Sequence, residues 1–312
     1  MSTPMRPHRI EPPDRATEVA DGIFAYVQPD GSWWINNTGF LVGTDGVVSI
    51  DSCATADRTR AYLGAIARET GRPVRTLVNT HHHGDHTFGN YLFPGATIVG
   101  HDRIRAAIRE WGEPHSAPLF TDVDWGPVEL APPFLTFEDR VTVHVDELVC
   151  DVRYVGAPAH TDNDATVWIP ERRVLFSGDL LFNGGTPFVM QGSVAGALAA
   201  LDRLAALEPE TIVPGHGPVC GPEVIDAARG YLRFVQRTAA EVRAAGVTPL
   251  EAALGTDLGE YADLLDPERL VGNLHRAYAE DAGAAPGAAI DLGAASADMI
   301  TFNGGRPLSC HA

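Results

Sequence analysis

Lysine is absent from this sequence of 312 residues, and all 23 of its basic residues are arginines. Covalent catalysis through a lysine Schiff base is therefore excluded. Positive charge is scarce overall, because 41 acidic residues bring the formal net charge to −18 at pH 7. Proteins that bind nucleic acid need clustered cations to neutralise phosphates, and no dense cluster of this kind occurs. We expect no nucleic-acid partner.

Cysteine is also scarce, and long apolar runs are missing. The four cysteines, at positions 53, 150, 220 and 310, lie far apart and form no C-x-x-C pair, which indicates no disulfide framework and no cysteine-rich zinc site. No run of about 18 apolar residues is present to span a membrane, and the first residues lack the apolar core of a secretory signal. We expect a reduced, cytoplasmic protein without a membrane partner.

The chain divides by composition into three parts. Residues 1–18 are proline-rich and charged, and we expect them to form a loosely ordered tail. Residues 19–221 alternate between strand-like and helix-like patterns, which predicts an α/β fold built of layers around a common core. Residues 222–312 are mostly helical in pattern, and we predict a helical extension with a final strand over 298–305, packed on the core. Residues 112–137 are rich in proline and aromatic residues and predict a long ordered loop.

The most informative segment is NTHHHGDHTFGN, residues 79–90. In an extended segment side chains alternate between faces, so His81 and His83 point together while His82 points away. Gly84 permits a sharp turn that brings Asp85 and His86 to a second position. Imidazole and carboxylate are natural ligands of divalent metals. Two pairs cannot complete two tetrahedral shells, so further ligands have to come from elsewhere in the chain.

Three distant residues are suited to complete these shells. His160, Asp179 and His216 each lie where a predicted strand gives way to a loop, and open α/β folds place their ligand sites at such ends. His101 also follows a predicted strand, and we expect a supporting role for it. We interpret the remaining isolated histidines as structural or solvated.

With this motif and these strand ends, the sequence resembles the metallo-β-lactamase-fold hydrolase superfamily over about residues 20–220. The resemblance implies a four-layer αβ/βα sandwich with a metal site at one edge. It implies two divalent ions, in the first place Zn²⁺, with ligands His81, His83 and His160 for the first ion, Asp85, His86 and His216 for the second, and Asp179 between them. It also implies a supporting role for Asp51 and a catalytic role for Asp85.

Branches within this superfamily differ in their ligands. Class B β-lactamases typically carry a cysteine at the second metal and an export signal, and neither occurs here. Flavodiiron proteins carry a glutamate where His83 stands. Lactonases add a tyrosine shortly after the bridging aspartate, and the segment LLFNGGTPFVMQGS contains none. Glyoxalase II and the ester-cleaving members share the ligand set.

A closer resemblance extends over nearly the whole chain. The segments TDVDWGPVEL, GSVAGALAALDRL, HGPVCGPEVIDAARGYLRFVQR and ITFNGGRPLSC resemble the metallo-β-lactamase-fold cyclases of aromatic polyketide pathways, which belong to antibiotic biosynthesis. This resemblance implies a cyclase and thioesterase that acts on a carrier-bound polyketide. A glyoxalase-II-like thioesterase, or a general esterase or lactonase, is the first alternative. A mononuclear iron dioxygenase and a non-catalytic metal-stabilised binding protein are the others.

Two further sets of residues are candidates for contacts with a substrate or a partner. An aromatic wall of the substrate pocket is predicted from Trp33, Trp34, Trp111, Trp125, Phe120 and Phe134, because large rings suit planar substrates. Arg229, Arg233 and Arg237 follow each other at intervals of four residues and share one face of a predicted helix. We predict this stripe as a contact for phosphopantetheine or an acidic carrier protein. The sequence does not indicate an oligomeric state.

Overall fold

A computed structural model describes residues 9–112, 119–121 and 123–312 of the chain. The first part of the fold is a seven-stranded sheet whose strands lie side by side in chain order. These strands are β1 (Thr17–Ala20), β2 (Ile23–Tyr26), β3 (Thr38–Val42), β4 (Val47–Ile50), β5 (Val74–Val78), β6 (Thr97–His101) and β7 (Leu135–Phe137). The first four pair antiparallel, and β4 to β7 pair parallel.

The parallel part of this sheet needs three crossover connections, and each of them contains a helix. Helix α1 (Ala56–Glu69) connects β4 to β5, and its first turn is capped by Thr55, whose side chain accepts a hydrogen bond from the backbone of Arg58. Helix α3 (Asp102–Trp111) follows β6. The short helix α2 (Gly84–Thr87) follows β5 and carries part of the histidine motif.

The second sheet has five strands. Its order is β12, β11, β10, β9, β8, so that neighbouring strands again follow chain order. The strands are β8 (Arg140–Val145), β9 (Leu148–Tyr154), β10 (Ala165–Ile169), β11 (Val174–Phe182) and β12 (Thr211–His216). Only the pair β11 and β12 is parallel within this sheet, and helix α4 (Val194–Ala205) makes the crossover between them.

The C-terminal part of the chain is helical, as predicted from residue 222 onwards. It contains α5 (Glu223–Arg243), α6 (Pro249–Gly255), α7 (Arg269–Asp281) and α8 (Leu292–Phe302). The prediction of a final strand over 298–305 is wrong, because these residues continue and end α8. The side chain of Asp291 caps this helix by accepting a hydrogen bond from the backbone of Ala294, and alanines favour its first turns.

Three apolar cores establish the order of the layers. One core lies between the two sheets and includes Val48 and Val78 from the first and Val167 and Val213 from the second. A second core joins the first sheet to α1, and a third joins the second sheet to the C-terminal helices. The sequence of helix, sheet, sheet and helix confirms the predicted four-layer sandwich with a C-terminal helical extension.

The described part of the chain begins at Arg9. Residues 1–8 of the predicted tail lie outside the described residues, and β1 begins at Thr17, within the predicted span 1–18. The limits 19–221 and 222–312 stay a prediction. Within the described residues, no helix is long and apolar enough to cross a membrane.

Candidate metal centre

The first group of candidate ligands combines both sheets. His81 and His83 follow β5 of the first sheet, His160 lies between β9 and β10, and Asp179 lies in β11 of the second sheet. The ligand atoms of these four side chains all lie within 4.8 Å of one another. A divalent ion needs such convergence of nitrogen and oxygen donors.

The second group shares one residue with the first. Asp85 and His86 lie in α2, His216 ends β12, and their ligand atoms converge with those of Asp179 within 4.8 Å. The Oδ2 atom of Asp179 lies 3.4 Å from Nε2 of His160 in one group and 3.4 Å from Nε2 of His216 in the other. Asp179 therefore stands where a carboxylate can contact two ions.

The hydrogen bonds of the imidazole rings fit metal binding. The ring of His160 donates its Nδ1 hydrogen to the carbonyl of Phe188 at 2.6 Å, and that of His216 donates to the carbonyl of Gly31 at 3.1 Å. Each ring thus turns the lone pair of Nε2 inward. His83 uses its two ring nitrogens the other way round. Its Nε2 lies 2.6 Å from Oε1 of Gln191, so Nδ1 is the nitrogen that can bind a metal.

Buried polar atoms without a hydrogen-bond partner give a second test of whether these residues suit metal ions. Among the described residues, Nε2 of His81, Nε2 of His86 and Oδ1 of Asp179 are buried without a hydrogen-bond partner. Buried polar atoms are costly unless they are satisfied. Nε2 of His86 lies only 3.0 Å from Oδ1 of Asp179, but the two atoms are not aligned for a hydrogen bond. Divalent ions bound among these atoms would satisfy all three, so the residues present fit a pair of metal ions.

Asp51 orients candidate ligands through hydrogen bonds without belonging to either group. Its carboxylate accepts hydrogen bonds from the backbone and hydroxyl of Thr80, both at 2.7 Å, and from Nδ1 of His86 at 2.8 Å. Because the hydroxyl of Thr80 donates to Asp51, its oxygen can accept from Nδ1 of His81, which lies 3.1 Å away. One aspartate thereby orients ligands of both groups.

This support gives a testable prediction for Asp51. Its backbone is left-handed, with φ of 58°, which asparagine tolerates. The variant Asp51→Asn removes the charge that faces His86, and we expect the affinity of the second group for Zn²⁺ to fall by about 10- to 100-fold. Competition with a chromophoric chelator measures this affinity.

A matched control for this variant is available. Asp146 is also left-handed, with φ of 51°, and accepts hydrogen bonds from Thr44 far from the centre. Asp146→Asn is expected to leave the affinity for Zn²⁺ unchanged. An unchanged affinity in Asp51→Asn as well would contradict the supporting role.

Glycine at position 215 is required by the close approach of Asp179. A Cβ atom at this position would lie 1.9 Å from Oδ1 of Asp179 and 2.7 Å from the backbone carbon of Gly178. Such distances are well inside van der Waals contact, so any larger residue would displace the shared carboxylate. The motif P-G-H at the end of β12 therefore places His216 and leaves room for Asp179 at the same time.

Electrostatics differ between the two groups. Burial lowers the pKa of His81 well below its usual value, and burial lowers the pKa of His83 to about 4. Burial acts in the same direction on His216, but the carboxylates of Asp179 and Asp85 outweigh it and raise its pKa to about 9. The same kind of balance holds the pKa of His86 well above its usual value. In the metal-free protein His81 and His83 are thus neutral at pH 7, whereas His86 and His216 hold protons.

These pKa shifts predict how metal uptake depends on pH. An ion in the second group must displace the protons of His86 and His216, while an ion in the first group finds free lone pairs. We expect the affinity of the second ion to rise from pH 7 to about pH 9, where His216 loses its own proton, and the affinity of the first ion to change much less. Calorimetric titration in buffers of different ionisation enthalpy counts the protons released. Equal proton release by both ions would contradict this assignment.

Two histidines near the motif stay outside both groups. His82 turns away from them, and its backbone amide and its ring contact the side chain of Asn163. His101 caps α3 by accepting a hydrogen bond from the backbone of Arg103, and its ring stacks on Tyr154. The structure therefore assigns neither of them to the metal groups.

A cavity of about 670 Å³ opens at the metal groups. Trp33, Trp34, Trp111 and Trp125, which were predicted to form an aromatic wall, all line it, as does Phe120. The prediction for Phe134 is wrong, because its side chain lies 86% exposed and outside the cavity. Whether these rings contact a substrate stays a prediction.

Sequence reasoning missed several parts of this cavity. Phe88 follows the histidine motif directly and contacts both Trp34 and Trp125. Gln191 and Arg269 also line the cavity, as do residues of α8. The position of Phe88 next to the motif was a usable signal. Nothing in the local pattern indicates that Arg269 or α8 would reach the metal groups, because their placement depends on how the extension packs.

The arginine stripe lies on α5 and does not line the cavity. Arg229 is paired with the carboxylates of Asp202 and Asp226, whereas Arg233 and Arg237 are exposed. Part of the positive charge is therefore neutralised within the protein. A contact between this stripe and a carrier stays a prediction.

A four-layer α/β sandwich with two His/Asp groups at the rim of both sheets is the architecture of a metal-dependent hydrolase. A family model described as Metallo-beta-lactamase superfamily matches residues 31–216. The chain belongs to this superfamily.

Three proteins similar to this chain share between 20% and 31% sequence identity with it. A hydroxyacylglutathione hydrolase of Rhodospirillum rubrum is 31% identical over 217 residues, which cover 66% of this chain and 75% of that protein. The type 2 metallo-beta-lactamase of Bacteroides fragilis is 24% identical over 71% of this chain and 87% of that protein. Among solved structures, a metallo-beta-lactamase from Pontibacter korlensis aligns with a TM-score of 0.59 at 20% identity, over 70% of this chain and 98% of that one. These matches do not confirm the polyketide cyclase branch, and they support the hydroxyacylglutathione hydrolase alternative better.

Proposed function

We propose that this chain is a hydrolase with two metal ions that cleaves acyl thioesters or esters. The observation that carries this proposal is the sharing of Asp179 between two ligand groups that both face one cavity. Similarity to hydroxyacylglutathione hydrolases supports a thioester as the substrate. We propose Zn²⁺ as the ion, because histidine and carboxylate without cysteine suit it in a catalytic site.

The chain's own residues define what the centre can do. His81, His83 and His160 would hold one ion, Asp85, His86 and His216 the other, and Asp179 both. Two ions held by these residues would supply a water activated near neutral pH and a Lewis acid for a substrate carbonyl. The protein needs no serine or cysteine nucleophile for this chemistry.

Asp85 is the proposed catalytic residue among the ligands. Burial would raise the pKa of its carboxyl group, but the positive charge of His86 and a hydrogen bond with His216 lower it below the usual value. The carboxylate is therefore ionised at neutral pH, and it lies on the wall of the cavity. It can accept a proton from the attacking water and pass it to the leaving thiolate or alkoxide.

Gln191 adds a donor beside the centre. Its Oε1 atom accepts from Nε2 of His83, so the amide hydrogens point the other way and have no protein partner within the described part of the chain. Because Gln191 lines the cavity, its amide can donate a hydrogen bond to a substrate oxygen. The same side chain thus orients His83 and can orient the substrate.

Thiol release from a panel of thioesters tests the proposal. The metal-free protein is loaded with two equivalents of Zn²⁺, and thiol is followed with a chromogenic disulfide. We expect turnover that requires metal and that falls in Asp85→Ala. Metal-loaded protein without turnover would favour a non-catalytic binding protein, and the same turnover in Asp85→Ala would contradict the catalytic role of Asp85. One iron per chain and no zinc in the protein as isolated would favour the mononuclear dioxygenase.

Ring closure on a carrier-bound polyketide is a second candidate, favoured by the aromatic wall of the cavity. Rings from the connection between β2 and β3, from the residues after α3 and from the connection between β11 and α4 contact one another beside the metal groups. A wall of this kind suits a folded polyketide. Mass spectrometry of a poly-β-ketoacyl chain on a carrier protein would detect the cyclised product. Replacing Arg229, Arg233 and Arg237 together by alanine is expected to raise KM for the carrier-bound substrate, and an unchanged KM would remove the carrier contact.

A further inference from the structure

The charges around the cavity are unfavourable for an anionic substrate. Apart from histidines, Arg269 is the one cationic side chain among the described residues that line the cavity. The sequence over 113–118 and at 122 adds no arginine. Asp85 and Asp179 face the same space with negative charge. Binding of a substrate carboxylate would therefore depend on Arg269 or on the metal ions themselves.

Arg269 is already engaged by the protein. Its guanidinium lies 2.8 Å from Oδ2 of Asp266 and donates to the carbonyl of Thr186 at 3.0 Å. The same group stacks over the ring of Trp33, 4.1 Å from its centroid, and the side chain is 1% exposed. Nε of this guanidinium has no hydrogen-bond partner among the described residues, but Asp266 pairs with its charge and Trp33 covers its face, so Arg269 supports the cavity wall as a neutralised cation.

Most of the remaining wall is apolar. Trp34 contacts Trp125, Phe120 and Phe88 through its ring, with centroids 4.7, 5.5 and 6.0 Å away. Helix α8 adds Leu292, Met299 and Ile300 to the same cavity. An apolar wall of this size stabilises a bulky apolar group, whereas an unpaired carboxylate placed against it loses its hydration without compensation.

We propose that this site selects thioesters or esters whose acyl part is bulky and apolar and whose thiol or alcohol part is uncharged, and that it discriminates against glutathione thioesters. The inference rests on the proposed hydrolase function and narrows its substrate. Glutathione brings two carboxylates and one ammonium group, so its thioesters carry a net negative charge into a cavity where, apart from the histidines and the ions that they would hold, the one cation among the described lining residues is already paired with Asp266. The chain would thus share the centre of its hydroxyacylglutathione hydrolase relatives and differ in the part of the substrate that it recognises.

A set of four thioesters varies the acyl part and the thiol part of the substrate independently. The 2-naphthoyl and acetyl groups are each attached to N-acetylcysteamine, which is neutral, and to glutathione. With the zinc-loaded enzyme we expect kcat/KM for naphthoyl-N-acetylcysteamine to exceed that for naphthoylglutathione by roughly 100-fold. Equal values, or a preference for glutathione, would overturn the proposal. Absence of thiol release from all four compounds would instead contradict the hydrolase function.

Binding affinity tests the proposed substrate selectivity independently of catalytic turnover. The thioethers S-(naphthylmethyl)-N-acetylcysteamine and S-(naphthylmethyl)glutathione cannot be hydrolysed, and calorimetry of each with the zinc-loaded protein compares their affinities. The proposal requires tighter binding of the neutral compound. Equal or tighter binding of the glutathione compound would refute it, whatever the protein hydrolyses.

A pair of variants at one position tests the role of charge. Ala297 of α8 lines the cavity and is exposed, so it accepts a longer side chain without repacking the core. Ala297→Arg is expected to raise the ratio of glutathione to N-acetylcysteamine turnover and binding by roughly tenfold. Ala297→Gln controls for the added bulk. The same change in ratio in both variants would show that charge is not the discriminating property.

Discussion

Asp179→Asn is expected to reduce bound zinc from about two ions per chain to fewer than one and to lower kcat/KM for thioesters by roughly 10³-fold. The reason is geometric, because Oδ2 of Asp179 lies 3.4 Å from a histidine nitrogen of each ligand group. Asparagine keeps the shape and removes the charge that both groups share. Metal analysis after dialysis and steady-state kinetics measure the two effects.

The control for this variant has to separate loss of metal from loss of folding. Asp151 is also a buried carboxylate, paired with Arg140 and Arg153 on the second sheet, away from the centre. Asp151→Asn is expected to lower stability while leaving two zinc ions bound. Two tightly held ions in Asp179→Asn would show that the carboxylate is not shared.

The second large effect is expected at Arg276, whose side chain is buried in the C-terminal extension. Its guanidinium donates to the carbonyl of Met190 at 2.9 and 3.1 Å and to that of Ala288 at 2.6 Å. Arg276→Met fills the space but leaves both carbonyls without this donor. We expect the free energy of unfolding to fall by about 3 kcal/mol, because breaking a buried charged network leaves polar groups unsatisfied.

Urea denaturation followed by circular dichroism measures this change as a lower midpoint at constant slope. Arg306 provides the comparison, since it is an exposed arginine in the same extension. Arg306→Met is expected to stay within about 0.5 kcal/mol of the parent protein. A similar stability of both variants would contradict the role of Arg276 in fixing the extension.

The sequence predicted the structure best where the chemistry of a residue and its local geometry indicate the same role. Alternation along an extended segment separated His82 from His81 and His83, and the structure turns His82 towards Asn163. Apolar periodicity predicted a layered α/β fold, and the order of its four layers came from the resemblance to a known superfamily. The resemblance to a known superfamily supplied the pairing of distant ligands, which spacing alone left open.

The sequence predicted the structure least well where packing between distant segments determines the conformation. The β-branched residues in DMITFNGG favoured a strand, but the capped alanine-rich start at Asp291 makes the segment a helix. Phe134 has the same composition around it as Phe120, yet only Phe120 faces the cavity. The closed cavity itself follows from the docking of α8, for which no local pattern exists.

The origin of the ligands from both sheets has a consequence for how the protein is made. His81, His83, Asp85 and His86 leave the ribosome almost together, whereas His216 follows only after a delay on the order of 10 s. During this interval the nascent chain presents an incomplete set of donors. A stable dinuclear centre can form only after β12 has been synthesised and the second sheet has docked. Uptake of the proposed metal ions would therefore be a late step of biogenesis, after the two sheets have packed against each other.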